Sequence, residues 1–367
     1  MKSYIPYYDK LHPIYFILLI LICIFIIDYF GYQRWMLRSQ TTFLAQQLRY
    51  HGKTFIRNLP TYQGQGIVIP TIQDKIQQTM ILLNMLNTIN CKIPITIAVL
   101  SDTLSDSELL MLEETGQTIL DVTQHTSLDS QEMNGPQLSA FALIYASYDD
   151  TIVLDPSIIL LRNPTDIFET QQYQHTGTFF WKTYYPSSYW NKSTYNWITQ
   201  LIPYKLDNNP VLQKKAKSCQ CASFIAIKKS IHTKTLYKLF ILNKHWDILF
   251  QHMNYNHDSF WMACELAREP YLITQNIPGI IGKISVGKLT GFNIFFTSSD
   301  KESPYFIDTP ILFDTEFHDI SLFQNRTSHA SIHPKYAHPV PTPITELINV
   351  YKKNYHTIIQ YIENFNE

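Results

Sequence analysis

The chain lacks most features that would assign a function directly. It has no surplus of either charge, since 29 Lys and Arg stand against 30 Asp and Glu for a formal balance of −1. That balance provides no broad basic field for nucleic acid. Its eleven glycines form no glycine-rich phosphate loop. There is also no Gly-x-Ser-x-Gly elbow and no His-Glu-x-x-His helix, so the hydrolase nucleophile and the two-histidine zinc site are both missing. No internal repeat occurs, and a solenoid or propeller is excluded with it. Cysteine is scarce, at five. With Cys23 inside an apolar run, Cys91, Cys219, Cys221 and Cys264 allow one or two disulfides in three full pairings. Cys219 and Cys221 lack the second ligand pair of a zinc site.

What is present is a core. The 367 residues are 45% hydrophobic and only 16% charged, enough to bury one large core without disulfides. Long hydrophobic runs are limited to one, "IYFILLILICIFII" at Ile14–Ile27. Tyr29–Tyr32 extends it toward the roughly 20 residues of a bilayer span. The following "DYFGYQRWMLR" is bulky and offers no small-x-small cleavage site, so the run reads as an uncleaved signal anchor. Lys2 and Lys10 precede it, while Arg34, Arg38, Arg49 and Lys53 follow. By the positive-inside rule this places the domain in the cytosol. Two sequons, at Asn191 and Asn325, point instead to a lumenal domain, and the lumenal orientation is the one adopted.

The expected organisation is a tail at 1–13, an anchor at 14–32, a polar stem at 33–62, a catalytic-type domain at 63–345 and a C-terminal helix at 346–367 packed on it. Within the domain, "GIVIP", "IPITIAV", "QTILDV" and "TIVLD" read as short buried strands. Helical patterns separate them, with Ser105 and Glu108 as a capping box. This alternation predicts an α/β doubly wound sheet with ligands beyond the strands' carboxyl ends. "CASFIAI" reads as a further strand, the positions from Leu236 to Leu249 as one long helix, and the Pro- and His-rich tail before the last helix as irregular. Asp155 lies at a strand end in "TIVLDPSIILLRNP". It reads either as a turn residue or as a contact to a donor or metal. Asp258 reads either as a helix N-cap or as an acceptor-binding or catalytic acid. Trp181, Tyr184, Tyr185, Tyr189, Trp190, Tyr195 and Trp197 could stack on sugar rings or form a satellite core. His329, His333 and His338 are loop residues or a source of one late metal ligand.

Four ordered segments, "QLSAFALIYASYDDTIVLDPSIILLRNPTDIFE", "YQHTGTFFWKTYY", "CASFIAIKKSIHTKTLYKLFIL" and "NHDSFWMACELA", give residues 66–284 a likeness to known enzymes. In these segments the chain resembles the fungal Golgi α-mannosyltransferases, α-1,3-mannosyltransferase-like type II membrane proteins. The resemblance implies a GT-A type nucleotide-sugar-binding fold with a doubly wound mixed sheet behind one transmembrane helix. It also implies GDP-mannose as donor, Mn²⁺ as cofactor and a glycan or glycoprotein mannoside as acceptor, with a possible complex with other glycosyltransferases and no nucleic acid. The polar positions depart from the family pattern. A lysine becomes Ser139, the Asp-x-Asp pair becomes Asp155 and Ser157, Glu-Ser-Gly becomes Gln220, Cys221 and Ala222, and Gly-Asp-Lys becomes Tyr255, Asn256 and His257. Asp258 is kept. The resemblance therefore implies Asp155 and Ser157 at donor or metal, with Ser139, Gln220, Cys221, Asn256, His257 and Trp181 around the pocket. A catalytically impaired member that binds glycans or assists a complex is the alternative.

Overall fold

The computed structural model describes residues 12–50, 52–126, 133, 135–186, 192–202, 218–253, 258–274, 278–285, 288–297, 304–308, 320–323, 338–339 and 342–366. Helices α1 (His12–Arg49) and α2 (Lys53–Arg57) lead into β1 (Gln65–Pro70), α3 (Ile76–Thr88), β2 (Ile95–Val99), α4 (Asp106–Glu113), β3 (Thr118–Asp121), α5 (Gly135–Tyr145) and β4 (Asp150–Leu154). The chain continues through β5 (Ile158–Leu160), α6 (Gln171–Thr176), β6 (Thr178–Pro186), α7 (Lys192–Leu201), β7 (Ser218–Lys228), α8 (Thr233–Lys244), α9 (Trp246–His252) and α10 (Ser259–Ala267). The tail contains β8 (Gly279–Ser285), β9 (Lys288–Thr297), β10 (Pro304–Asp308), β11 (Ile320–Phe323), β12 (His338–Pro339) and α11 (Thr342–Asn366).

The first sheet has the order β3-β2-β1-β4-β7-β6. Strands β1 to β4 are mutually parallel, and β7 and β6 run antiparallel beside β4. The sheet is therefore doubly wound and mixed, as expected. Helices cover both faces, which is why β1 reads as the unbroken apolar run "GIVIP", buried from Gly66 to Pro70. The Ser105 and Glu108 capping box forms at α4 with both reciprocal bonds. Two expectations need correction. The pattern from Leu236 to Leu249 is two helices, α8 and α9, broken at His245. The tail is not irregular, because β8 to β12 join β5 in a second, antiparallel sheet of order β12-β11-β8-β9-β10-β5.

Trp181, Phe224, Tyr305 and Phe306 pack where β6 and β7 meet β10, with ring centroids 5.2–5.8 Å apart, joining the two sheets. Cys91, Cys221 and Cys264 are free buried thiols, so the disulfides expected of them do not form. Cys264 belongs to one core cluster, while Cys91 and Cys221 belong to another.

Among the described residues, α1 is the one helix long and apolar enough to cross a membrane. It does not end with the apolar run but continues as one helix through the segment expected to be a stem, to Arg49. Thr41, Leu44, Ala45 and Leu48 are buried in the main core beside α7, α8 and α9, and Leu37 continues the same 3.6-residue stripe. Buried Lys238 caps the helix end by donating to the carbonyls of Leu48 and, at 2.9 Å, Tyr50. Residues 37–48 are thus part of the domain rather than a spacer. Leu44→Ala should lower unfolding free energy by about 2–5 kcal/mol, read as a shifted denaturation midpoint; a free stem would leave it unchanged.

Candidate functional site

The polypeptide leaves β1, builds β2 and β3 on one side, then returns to β4 on the other side of β1. That reversal makes the gap between the carboxyl ends of β1 and β4 the topological switch point, where open α/β sheets form their ligand crevice. Two charged residues meet there. Lys75 stands at the start of α3, just beyond β1, and Asp155 directly follows β4. The Lys75 ammonium lies 2.8 Å from each carboxylate oxygen of Asp155 and 3.1 Å from Ser157 Oγ. Their side chains keep 30% and 29% of their surface exposed, so the pair is open to the crevice. Burial opposes ionisation of Asp155, but the Lys75 charge and hydrogen bonds from Lys75 and Ser157 hold the carboxyl below the usual aspartate value. Asp155 also makes the Asp-Pro-Ser turn, accepting from the Ser157 N–H at 2.9 Å. The turn and site readings of Asp155 are therefore compatible.

A third charged residue arrives from the second sheet. Strand β10 pairs antiparallel with β5, aligning Asp308 with Ile158. Its carboxylate accepts from Ser223 Oγ at 3.0 Å and lies 3.9 Å from Cys221 Sγ. Burial, then the charge of Asp155, pushes the Asp308 carboxyl up to about 6. Burial and Asp308 also raise the Cys221 thiol, keeping it protonated and unreactive. The sequence reading missed both Lys75 and Asp308. Lys75 was findable as the only cation in the short connection after the first strand. Asp308 ends "PYFID", a strand-like run that was passed over as irregular tail.

Other expected residues lie elsewhere or have different partners. Asp258 is only 2% exposed and precedes α10 without making a side-chain cap. Its carboxylate instead accepts from the Gln220 N–H at 3.1 Å and from Trp261 Nε1–H at 2.6 Å. Gln220 Oε1 accepts the Trp261 N–H at 3.1 Å, so Gln220 supplies the capping bond and ties β7 to α10. Ser139 is buried in α5 and donates back to the Gly135 carbonyl at 3.1 Å. Trp181, expected in the pocket wall, is 1% exposed between the two sheets, which corrects a sugar-stacking role for it. Trp197 is likewise buried, stacked on His252 at 4.7 Å. Asn191, Asn256, His257, Asn325, His329 and His333 lie outside the described residues.

The expected Mn²⁺ can be tested against these donors. Manganese favours several hard, anionic oxygens. Here the Asp155 carboxylate is already paired through both oxygens with an ammonium, the Asp308 carboxyl resists ionisation and is engaged by Ser223, and Ser157 and Ser223 are neutral. Among the described residues no group of three or more His, Cys, Asp or Glu is placed to hold a metal. The donor set therefore does not fit a divalent cation, because Lys75 takes up the charge of the carboxylate that would bind it.

Two consequences are measurable. Asp258→Ala removes the acceptor of two buried donors and should cost about 2–5 kcal/mol in denaturant unfolding, while Asp258→Asn, which keeps an acceptor, should cost clearly less. Asp308 has a raised folded-state pKa, so between about pH 4 and 6 the folded chain keeps a proton that the unfolded chain has released. Its contribution is complete below that window and lost as pH rises through it. Asp308→Asn should remove this loss, so the variant gains on the order of 2 kcal/mol over wild type between pH 4 and 7, read from unfolding midpoints against pH.

Among curated proteins, no sequence matches the chain. Solved structures similar to it include the glycosyltransferase GlyE of Streptococcus pneumoniae TIGR4, at 15% identity and TM-score 0.34, covering 58% of this chain and 45% of GlyE. The mannosyltransferase Ktr4p of S. cerevisiae in complex with GDP is similar at 10% identity and TM-score 0.35, covering 64% and 76% of the two chains. Core-mannan synthase A of Aspergillus fumigatus in its Mn/GDP form gives 7% identity, TM-score 0.35 and coverage of 58% and 72%. The chain thus spans less than half the length of GlyE. The family profile described as "Mannosyltransferase putative" matches residues 64–303, a stretch that takes in β1, β4, Lys75 and Asp155, and the chain belongs to that family.

Proposed function

We propose that the protein transfers mannose from GDP-mannose to a hydroxyl of a mannoside acceptor during glycoprotein or glycan assembly. The observation that carries this reading is the family match over residues 64–303, which encloses the switch point with its part-exposed ammonium and a carboxyl held below the usual aspartate value. Such a crevice suits a nucleotide sugar, whose diphosphate leaving group needs a nearby positive charge. In this reading Asp155 keeps Lys75 aimed at the diphosphate, while Asp308 and Ser223 shape the adjoining floor. Asp258 and Gln220 act through the packing of α10 against β7 rather than by touching the sugar.

The remaining parts of the proposal concern place and organisation. The apolar turns of α1 would anchor the chain as a single-pass type II protein in the Golgi membrane, with the domain of residues 63–345 and the C-terminal helix from 346 in the lumen. Sequons at Asn191 and Asn325 support that side of the membrane. Partner glycosyltransferases in the same membrane would supply and consume the glycan ends. The second reading, a non-catalytic family member, is favoured by the neutral Ser157 beside Asp155. The two separate in a transfer assay with GDP-mannose and mannobiose. Wild type should turn over, and Asp155→Ala should lower kcat/KM by about 100-fold or more. An Asp155→Ala protein with full activity would remove the proposed role of Asp155, and an inactive wild type that still binds mannosides would favour the non-catalytic reading.

A further inference from the structure

We infer that Lys75 is the resident counter-charge for the donor diphosphate, and that the protein binds a nucleoside diphosphate without a divalent cation. The inference deepens the proposed nucleotide-sugar reading and rests on it. Its basis is the charge balance of the crevice. A site built from two carboxylates and a divalent cation sums to zero before the diphosphate arrives. Here the second acid of the Asp-x-Asp spacing is Ser157. The cation facing Asp155 is a single ammonium at 2.8 Å, and the pair again sums to zero, with Asp308, whose carboxyl burial and Asp155 push up to about 6, beside it. The loss of one negative charge and the gain of one positive charge together replace the two charges of the divalent cation, which the loss of a ligand alone would not do.

Position supports the same conclusion. Lys75 belongs to neither side of the domain's outer surface but to the connection between β1 and α3, above the switch point. Its ammonium has three N–H groups. The carboxylate of Asp155 holds it in place, while the contact to Ser157 Oγ is longer, at 3.1 Å, and can give way to a phosphate oxygen. Asp155 thus positions the cation, and Lys75 contacts the ligand. A divalent ion at Asp155 would have to displace that ammonium or sit against it at like charge.

The test is calorimetric titration of the full chain in detergent micelles with GDP, in EDTA and in Mn²⁺, alongside the paramagnetic resonance signal of Mn²⁺ added alone. Wild type should give dissociation constants that agree within about two-fold in the two buffers and should leave the Mn²⁺ signal that of the free ion. Lys75→Met should weaken GDP binding about ten-fold or more in EDTA, whereas Lys75→Arg, which keeps the charge, should stay within about three-fold. Circular dichroism melts confirm that each variant is folded. The double variant Lys75→Met with Ser157→Asp should bind GDP again, only with Mn²⁺ present. Ten-fold tighter binding of wild type in Mn²⁺, or a folded Lys75→Met that binds as wild type does, overturns the inference and leaves the nucleotide-sugar reading intact. No binding of GDP by wild type in either buffer removes the GDP-donor reading itself, and this inference with it.

Discussion

The parallel pairing of β4 with β1 is the constraint on which the rest of the site depends. It is set by register, with Ile67 opposite Ile152 and Val68 opposite Val153, and by burial of both strands on both faces. Once β4 lies beside β1, the residues that follow each strand must emerge side by side at one edge, and Lys75 and Asp155 meet. On its other side β4 pairs antiparallel with β7, so Ser223 and Cys221 come up against the same edge from the opposite direction. The Asp-Pro-Ser turn then sends the chain into β5, whose partner is β10. A single strand placement thus recruits side chains from residues 75, 155, 157, 223 and 308, far apart in sequence.

The charges gathered there explain one another. An isolated buried carboxylate is costly, and Asp155 remains ionised because an ammonium is within reach. Asp308 lacks so close a cation and shares its surroundings with Asp155, so it resists ionisation. Two aspartates within one small site therefore have different proton affinities, set by which of them Lys75 touches. The outcome is a crevice with one ion pair, Lys75 with Asp155, beside one carboxylate that holds its proton until mildly acidic pH is passed.

Much of this was legible in the sequence, for reasons that can be named. The central strands announced themselves because burial on both faces demands continuous apolar runs, and "GIVIP" and "TIVLD" have no other good explanation. The Ser105 capping box was legible because its bonds are local. The partner of Asp155 was not, because an ion pair spanning 80 residues leaves no periodic trace. Asp258 looked like a cap from its neighbours alone, yet its carboxylate is held by Gln220, a residue 38 positions away. The second sheet escaped because four of its strands, β5, β10, β11 and β12, have five residues or fewer and leave little alternation to read. The docking of α1 was written in the spacing of Leu37, Thr41, Leu44 and Leu48, but the polar residues between them dominate a casual reading of composition.

That docking makes α1 a rigid post. From Tyr32, where the apolar run ends, to Leu44, the first leucine fully sunk in the core, the helix rises about 18 Å with no glycine or proline in between. In the proposed reading, with the apolar turns in a bilayer, the switch-point crevice would be held at a set height and would swivel with the anchor rather than on a flexible leash. Glycans presented at that height would be sampled by lateral diffusion in the membrane plane, and those at other heights would be missed. Selection among acceptors would then begin with geometry relative to the membrane, before any sugar enters the crevice.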